Sequence, residues 1–565
     1  MRFLPLFTAI LTACLLCIDT TSGLSFRWFT APILTAFVIS LPTTYLPRIL
    51  RVAVQMAIGE VILFICLVDC YCQEYFATPI TPQILSNVLL SNMRETGEFL
   101  GTFVNVYTIT HWRINALLLL ALVLPVSLVL PGKRVTEGKA FKRSGLVLLV
   151  LCLICEVAPT YKYSRLFFQG DNTQNMEGLI FRHYHEEIPT PLHRLAFACY
   201  SIKQSEQVLE DIKRSTFSAS IEGCSHRSPH IVLVIGESYN KHHSTLYGYQ
   251  LPTTPLLQKR MDNGELMVFS DVVTPWNITS NVFLDMFSVW EYGSKDAVGK
   301  QPLFPILFQR AGYDVNFFSN QYIMHGFKKG TTNQAGHFFL ADSEVSDSLF
   351  TYRNRRSRKF DMDMVEQVAE YRKDNIERPY TLDIIHLIGQ HFDYAERYPE
   401  SEARFSTATY KDRHISLEAK HILAHYDNAT RYNDIVLDSI LTVYEKEDAI
   451  VIFVADHGEE VYDDLQIHGR LFQEPTAQQA RYEFEVPMWI WCSESFRKRH
   501  EDVVRCIEQS TSKPFMTDRI PQILLMLGGI SCQWTNETHN LLSPEYKCNP
   551  RIICGGIDYD ELMKR

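Results

Sequence analysis

The run Ala449-Ile450-Val451-Ile452-Phe453-Val454-Ala455, closed by Asp456-His457-Gly458-Glu459-Glu460, most constrains what this chain can fold into. A short apolar run rich in β-branched residues reads as a strand buried on both faces, the kind found in parallel sheets covered by helices. A carboxylate and an imidazole directly after such a strand stand at its C-terminal end, where open α/β sheets keep their ligands. A second copy lies upstream, where Ile231-Val232-Leu233-Val234-Ile235 runs into Gly236-Glu237-Ser238. Two strands thus deliver Glu237, Asp456 and His457 to one sheet edge. Carboxylate oxygen with imidazole nitrogen is a donor set that suits zinc.

The stretch around these motifs, 226–565, alternates strand and helix patterns. Strands are expected at 230–235, 313–319, 380–387, 449–455 and 486–492, and helices at 280–290, 360–373, 425–445 and 517–527. The alternation predicts an α/β domain with a mainly parallel central sheet and helices on both faces. Within the last helix, Ile520-Pro521 falls near the start, where proline is tolerated.

The first 165 residues are a different object. Hydrophobic segments at roughly 3–18, 28–46, 53–71, 114–131 and 144–160 predict an α-helical transmembrane domain of about five helices, each near the ~20 residues that span a bilayer. The first segment follows a single basic residue, Arg2, and reads either as a retained helix or as a cleaved signal peptide. Arg48 and Arg51 lie between segments two and three, and Lys133, Arg134, Lys139, Lys142 and Arg143 between four and five. Short basic loops stay cytoplasmic, so the chain after about 165 is expected on the opposite side. Residues 72–112 form an outside loop, in which Ile84, Leu85, Val88, Leu89, Met93, Phe99 and Leu100 recur at helical spacing. They predict an amphipathic helix that lies on the membrane or packs on the soluble domain. Residues 166–225 read as a linker with bridging helices.

Cysteine usage fits this division. Cys14, Cys17, Cys66, Cys70, Cys72, Cys152 and Cys155 fall in or beside apolar segments, where cysteine is a small apolar residue. Outside the membrane an oxidising compartment permits disulfides, with Cys548–Cys554, Cys492–Cys506 and Cys199–Cys224 as local pairs. The formal net charge of −10 and the absence of a basic tract argue against a nucleic-acid partner.

A site built on Glu237, Asp456 and His457 needs a fourth ligand or an open position. Thr279, in Asn277-Ile278-Thr279-Ser280, is expected near a helix N-terminus, where backbone N–H groups favour anions. A metal-bound hydroxyl loses its proton more easily and becomes a nucleophile. An ordinary N-cap threonine is the alternative. His391, after the strand-like run that ends Gly389-Gln390-His391, and His468, in a polar loop, are candidates to hold a phosphoryl oxygen or protonate a leaving alkoxide. His242 and His243 read as solvated, and Glu459 and Glu460 as supporting or helix N-terminal charges.

Several stretches in order resemble the phosphoethanolamine transferases of Gram-negative bacteria, members of the alkaline phosphatase/sulfatase superfamily. They are Val234-Ile235-Gly236-Glu237-Ser238, Leu246-Tyr247-Gly248-Tyr249 with Thr253-Thr254-Pro255, and Val272-Val273-Thr274 with Thr279. Then follow His386-Leu387-Ile388-Gly389-Gln390-His391 with Arg397-Tyr398-Pro399, Tyr426-Asp427-Asn428 and Ala455-Asp456-His457-Gly458-Glu459-Glu460. The resemblance covers nearly the whole chain, apolar front included. It implies an alkaline-phosphatase-like domain in the periplasm, anchored by a multi-pass segment in the bacterial inner membrane. It further implies a zinc ion held by Glu237, Thr279, Asp456 and His457, with His391 and His468 binding the phosphoryl group. In such enzymes the threonine attacks phosphatidylethanolamine, diacylglycerol leaves, and a hydroxyl of lipid A or of a lipopolysaccharide core sugar takes the group.

Pro275-Trp276-Asn277-Ile278 before Thr279, and Ser238-Tyr239-Asn240-Lys241 after Glu237, depart from the lipid A branch, so the acceptor stays open. Lys241 is a further candidate phosphate contact. A second zinc that arrives with substrate also stays open, as do the roles of Glu60 and Asp69. The competing readings are a phosphoglycerol transferase of the lipoteichoic acid synthase type and a non-catalytic lipid-binding or regulatory membrane protein. A sulfatase proper would need a C/S-x-P-x-R motif, which is absent.

Overall fold

The structure, a computed structural model, describes residues 3–18, 26–76, 79–81, 84–85, 111–130, 146–159, 161, 188–292, 294, 296–297, 299–321, 338–354, 357–375, 377–470 and 475–564. The chain divides into two compact units at about residue 206.

In the first unit each expected apolar segment is helical: Leu4–Leu16 (α1), Arg27–Ser40 (α2), Arg48–Phe76 (α3), Trp112–Val129 (α4) and Leu146–Pro159 (α5). By length and composition two of them, α3 and α4, are long and apolar enough to cross a membrane, while α1 and α5 are shorter apolar helices. The amphipathic segment 84–100 lies outside the described residues apart from 84 and 85. Asp69, on α3, is fully buried and accepts hydrogen bonds from Arg194 Nη1 (2.5 Å), Gln73 Nε2 (2.8 Å) and the Ile80 N–H (3.0 Å). Glu60, on the same helix, has Oε1 buried with no hydrogen-bond partner among the described residues.

Part of the expected linker is the helix Pro191–Phe217 (α6). Beyond it, the second unit is built on a seven-stranded sheet. Its strands are His230–Gly236 (β1), Leu266–Phe269 (β2), Asp314–Ser319 (β3), Tyr352–Arg353 (β4), Thr381–His386 (β5), Ala449–Ala455 (β6) and, later in the chain, Met488–Cys492. Between the last two lies a short antiparallel hairpin of Glu460–Val461 (β7) and His468–Gly469 (β8), which makes Met488–Cys492 β9. The spatial order is β2-β9-β6-β1-β5-β3-β4. Strands β6, β1, β5, β3 and β4 run parallel.

The sheet is nonetheless mixed, because β9 is antiparallel to both β6 and β2. After β6 the described residues of 456–487 stay at the C-terminal edge and build the site. The next strand therefore enters from that edge and runs back.

Nearly every residue of β1, β5 and β6 is buried, as continuous apolar runs between two helical layers require. Phe453 stacks on Trp489 across β6 and β9, with centroids 5.0 Å apart. The helices Thr279–Phe287 (α7), Asp361–Asp374 (α8), Leu417–Tyr444 (α9) and Ile520–Gly528 (α10) fall close to the expected positions. Ser288 is already extended, so α7 ends before 290. By contrast, α9 starts earlier than expected, at Ser416, whose side chain accepts from the Ala419 N–H. Such a cap stabilises a helix by about 1 kcal/mol.

All fourteen cysteines are free thiols, so the three local disulfides expected from spacing are not formed. Cys492 is buried within β9 whereas Cys506 is partly exposed, and Cys554 is buried whereas Cys548 is exposed.

Candidate metal and nucleophile site

Register alone brings the ligands together. Gly236 pairs with Ala455, and Ile235 with Val454 on one side and His386 on the other. Glu237, Asp456 and the 387–391 turn therefore leave the sheet side by side. The Asp456 N–H donates to Gly236 O (3.0 Å), and Leu387 N–H to Ile235 O (3.0 Å). Two glycines permit the close packing that follows. A side chain at Gly458 would collide with the Tyr482 carbonyl, and Gly389, at φ +47°, lies against the Glu237 backbone.

Glu237, Asp456 and His457 are fully buried, and their ligand atoms lie within 4.8 Å of one another. His457 Nε2 is 3.4 Å from Glu237 Oε1 and 3.2 Å from Asp456 Oδ2. Thr279 Oγ1 lies 3.2 Å from Glu237 Oε2 and 3.2 Å from His457 Nε2. Atoms about 2.0–2.2 Å from a tetrahedral zinc ion stand roughly 3.3–3.6 Å apart, so these separations are close to the edges of such a tetrahedron. His457 Nδ1 donates to Gly458 O (2.9 Å), which leaves the Nε2 lone pair as the ligand. Asp456 Oδ2 is buried without a hydrogen-bond partner among the described residues. An orphaned carboxylate oxygen beside an imidazole lone pair is costly unless a cation joins them, so the residues fit a divalent ion.

Thr279 is the first residue of α7. The N-cap is Ile278, which makes no side-chain cap bond, so Thr279 is not an ordinary capping threonine. Its hydroxyl turns to the carboxylate and imidazole instead, and it alone of the four is not fully buried.

The charges are coupled. Desolvation raises the Glu237 carboxyl, but the adjoining His457 imidazole and the positive groups nearby outweigh this and hold it well below the usual range. Desolvation and the Glu237 charge push Asp456 well above the usual range. Desolvation and then Arg470 lower His457.

Residues the sequence reading passed over complete the cluster. Gln321 Nε2 donates to Glu237 Oε2 (2.6 Å) and to Leu387 O (3.0 Å). Arg470 Nη1 donates to His457 Nε2 (2.7 Å) and to Asn277 O (2.9 Å). Neither carries a sequence signal, since each sits in irregular chain without periodicity. Ser238 has left-handed backbone (φ +54°). It is held by its N–H on Asp456 Oδ1 (3.1 Å) and its hydroxyl on Glu237 Oε1 (2.8 Å), and its carbonyl accepts from Tyr426 OH (2.7 Å).

The remaining candidates divide. His391 is half-buried within electrostatic reach of Glu237, and desolvation lowers its pKa to about 4. His468, on β8, meets Tyr462 OH through Nδ1 (3.1 Å) and stands edge-on to Tyr394 rather than bonding to the four clustered residues. His243 is not solvated: it is fully buried, with Nδ1 2.6 Å from Asp427 Oδ1 and Nε2 3.2 Å from Asp463. Lys241 pairs with Glu485 (2.6 Å) rather than facing the cluster. Glu459 and Glu460 are buried and begin no helix; desolvation raises both to about 8.

The phosphoethanolamine transferase EptC of Escherichia coli O18:K1:H7 (strain RS218 / NMEC) is 28% identical over 347 residues, which cover 59% of this chain and 57% of that protein. The chain thus matches little more than half the length of this curated relative. The crystal structure of the C-terminal periplasmic domain of EcEptC from Escherichia coli, in complex with Zn, superposes with a TM-score of 0.52 at 24% identity, over 60% of this chain and 96% of that one. The integral membrane protein lipooligosaccharide phosphoethanolamine transferase A from Neisseria meningitidis shares the fold across 96% of this chain and 97% of its own, with a TM-score of 0.61 at 20% identity. The sulfatase family model matches residues 229–528, more than half of the sequence and the whole of the central sheet, and the chain belongs to that family.

Proposed function

We propose that this chain is an inner-membrane phosphoethanolamine transferase. In this reading Thr279 takes phosphoethanolamine from phosphatidylethanolamine and passes it to a hydroxyl of lipopolysaccharide, on lipid A or a core sugar. The observation that carries the reading is the Thr279 hydroxyl, turned away from capping and set 3.2 Å from both a buried carboxylate and an imidazole lone pair. The matched relatives carry phosphoethanolamine transferase in their names.

Thr279 Oγ1 attacks the phosphorus, and the bond to the glycerol oxygen breaks. Diacylglycerol leaves with a proton, and phosphoethanolamine stays on the threonine. The acceptor hydroxyl then attacks the same phosphorus and restores Thr279, which makes the kinetics ping-pong. Glu237, Asp456, His457 and Thr279 would hold zinc, whose Lewis acidity makes the hydroxyl easier to deprotonate. Gln321 and Ser238 fix the two oxygens of Glu237. His391 is neutral in the bare site; an arriving phosphate anion favours its charged form, which holds a phosphoryl oxygen and can give a proton to the leaving alkoxide. His468 is assigned to the same group. Because donor and acceptor are both lipids, the apolar helices of the first unit anchor the enzyme, as five spans with 226–565 in the periplasm.

Intact mass spectrometry after incubation with phosphatidylethanolamine vesicles and zinc, without acceptor, tests this. The expected result is a gain of one phosphoethanolamine on the Thr279 peptide, absent in Thr279→Ala. An adduct only from phosphatidylglycerol would move the assignment to phosphoglycerol transfer, and no adduct from either lipid would remove it.

A further inference from the structure

Arg470 stands where a cation in this site would have to bind. Its Nη1 donates to His457 Nε2 at 2.7 Å, and that nitrogen's only lone pair is the one a metal needs, since Nδ1–H is committed to Gly458 O. An ion about 2.0–2.1 Å from Nε2 and a guanidinium N–H on the same lone pair exclude one another. Among the described residues the guanidinium has two further contacts. It is tethered to Asn277 O, two residues before Thr279, at 2.9 Å, and Nε lies 4.0 Å from Glu459 Oε1. It sits directly after the β7–β8 hairpin, one residue past Gly469 at φ +99°. When a divalent ion takes Nε2, like-charge repulsion turns Arg470 away from the ion. The Asn277 tether keeps it beside the N-terminus of α7. There its planar fork of N–H groups meets the one anion the proposed reaction brings, the phosphoryl group attacked by Thr279.

We infer that Arg470 has two alternating partners: it fills the cation site while metal is absent, and once metal is bound it clamps the non-bridging oxygens of the transferred phosphoryl group. The second half rests on the reading of Thr279 as the phosphoryl acceptor; the first does not.

The test uses the full-length protein in detergent, metal-stripped, as wild type, Arg470→Gln and Arg470→Lys. Zinc affinity is read by competition with a chromophoric chelator. Anion affinity of the zinc-loaded protein is read with inorganic phosphate, and donor use by adduct formation from phosphatidylethanolamine vesicles. Arg470→Gln should bind zinc about tenfold or more tighter, because a charge at contact distance from the ion is gone. It should bind phosphate about tenfold more weakly and form adduct correspondingly more slowly. Arg470→Lys keeps the charge but not the fork, so zinc affinity stays near wild type while phosphate affinity falls. An unchanged thermal transition in Arg470→Lys shows that folding is not the cause.

Unchanged zinc affinity in Arg470→Gln overturns the inference, as does unchanged phosphate affinity. A loss seen with phosphate but not with vesicles also overturns it, since the clamp would not act on the donor. If the wild type forms no adduct at all, the phosphoethanolamine reading fails, and the zinc and inorganic phosphate measurements still decide the role of Arg470.

Discussion

Ser238 shows what a single residue contributes to such a site. A left-handed non-glycine residue costs on the order of 1–3 kcal/mol. Here it turns the chain so that one residue's N–H holds Asp456 while its hydroxyl holds Glu237. Ser238→Gly should therefore raise the thermal transition by relieving strain, yet weaken zinc binding by roughly 10–100-fold, the usual effect of losing an orienting partner. Zinc titration and calorimetry on one sample check both signs; unchanged affinity would mean the hydroxyl orients nothing. The raised carboxyl of Asp456 gives a second prediction. It is raised by desolvation and by the Glu237 charge, and a metal ligand must be deprotonated, so metal binding competes with protonation of this group. Affinity should then rise with pH until Asp456 ionises unaided. Calorimetric titration in buffers of differing ionisation enthalpy reads the proton release on binding, and its absence would rule out this competition.

Between elements, His243 joins the hairpin region to α9. Burial works against its charge, but the carboxylates of Asp463 and Asp427 outweigh burial and push its pKa up to about 10. Tyr249 adds a hydrogen bond to the same Asp427 (2.7 Å). A folded pKa above the unfolded value of ~6.5 contributes stability that is complete below ~6.5 and is lost as pH rises through about 10. Relative to His243→Gln, the wild type should lose stability steadily across that window, measured by urea unfolding at several pH values; parallel curves would show that the imidazolium is not held. This histidine also marks a limit of reading from sequence. Glu237, Asp456 and His457 were legible because each follows a fully apolar strand, and parallel register turns strand ends into neighbours. The His242-His243 doublet lies in a polar stretch, and the partner that buries His243 is 184 residues away, so nothing local separates it from a solvated pair. Gln321 and Arg470 were invisible for the same reason. The reversed direction of β9 has no signal in its own sequence, which reads like the other strands, because it depends only on where the preceding chain stays.

Across the whole molecule, two units carry separate burdens, a buried polar network in one and the candidate metal site in the other. In the first, Asp69 and Arg194 form an ion pair with almost no solvent exposure. Gln73 and the Ile80 N–H complete the Asp69 carboxylate, and Arg194 Nε reaches Ile188 O (3.0 Å). Desolvating two charges offsets most of their attraction, so such a pair adds little net stability, but removing one partner leaves the other buried and uncompensated, at a cost of about 3–5 kcal/mol. Asp69→Ala should thus loosen the first unit by that order while the cluster of Glu237, Thr279, Asp456 and His457, built wholly on the second unit, keeps its zinc affinity. On the proposed function, adduct formation should fall steeply with donor in vesicles and persist with a soluble short-chain phosphatidylethanolamine, because only the former would depend on the apolar helices. Measuring zinc affinity and both donor rates on this one variant separates the units. Lost zinc affinity would show that the cluster depends on the first unit's packing, and equal rates with the two donors would show that the apolar helices take no part in presenting lipid to Thr279.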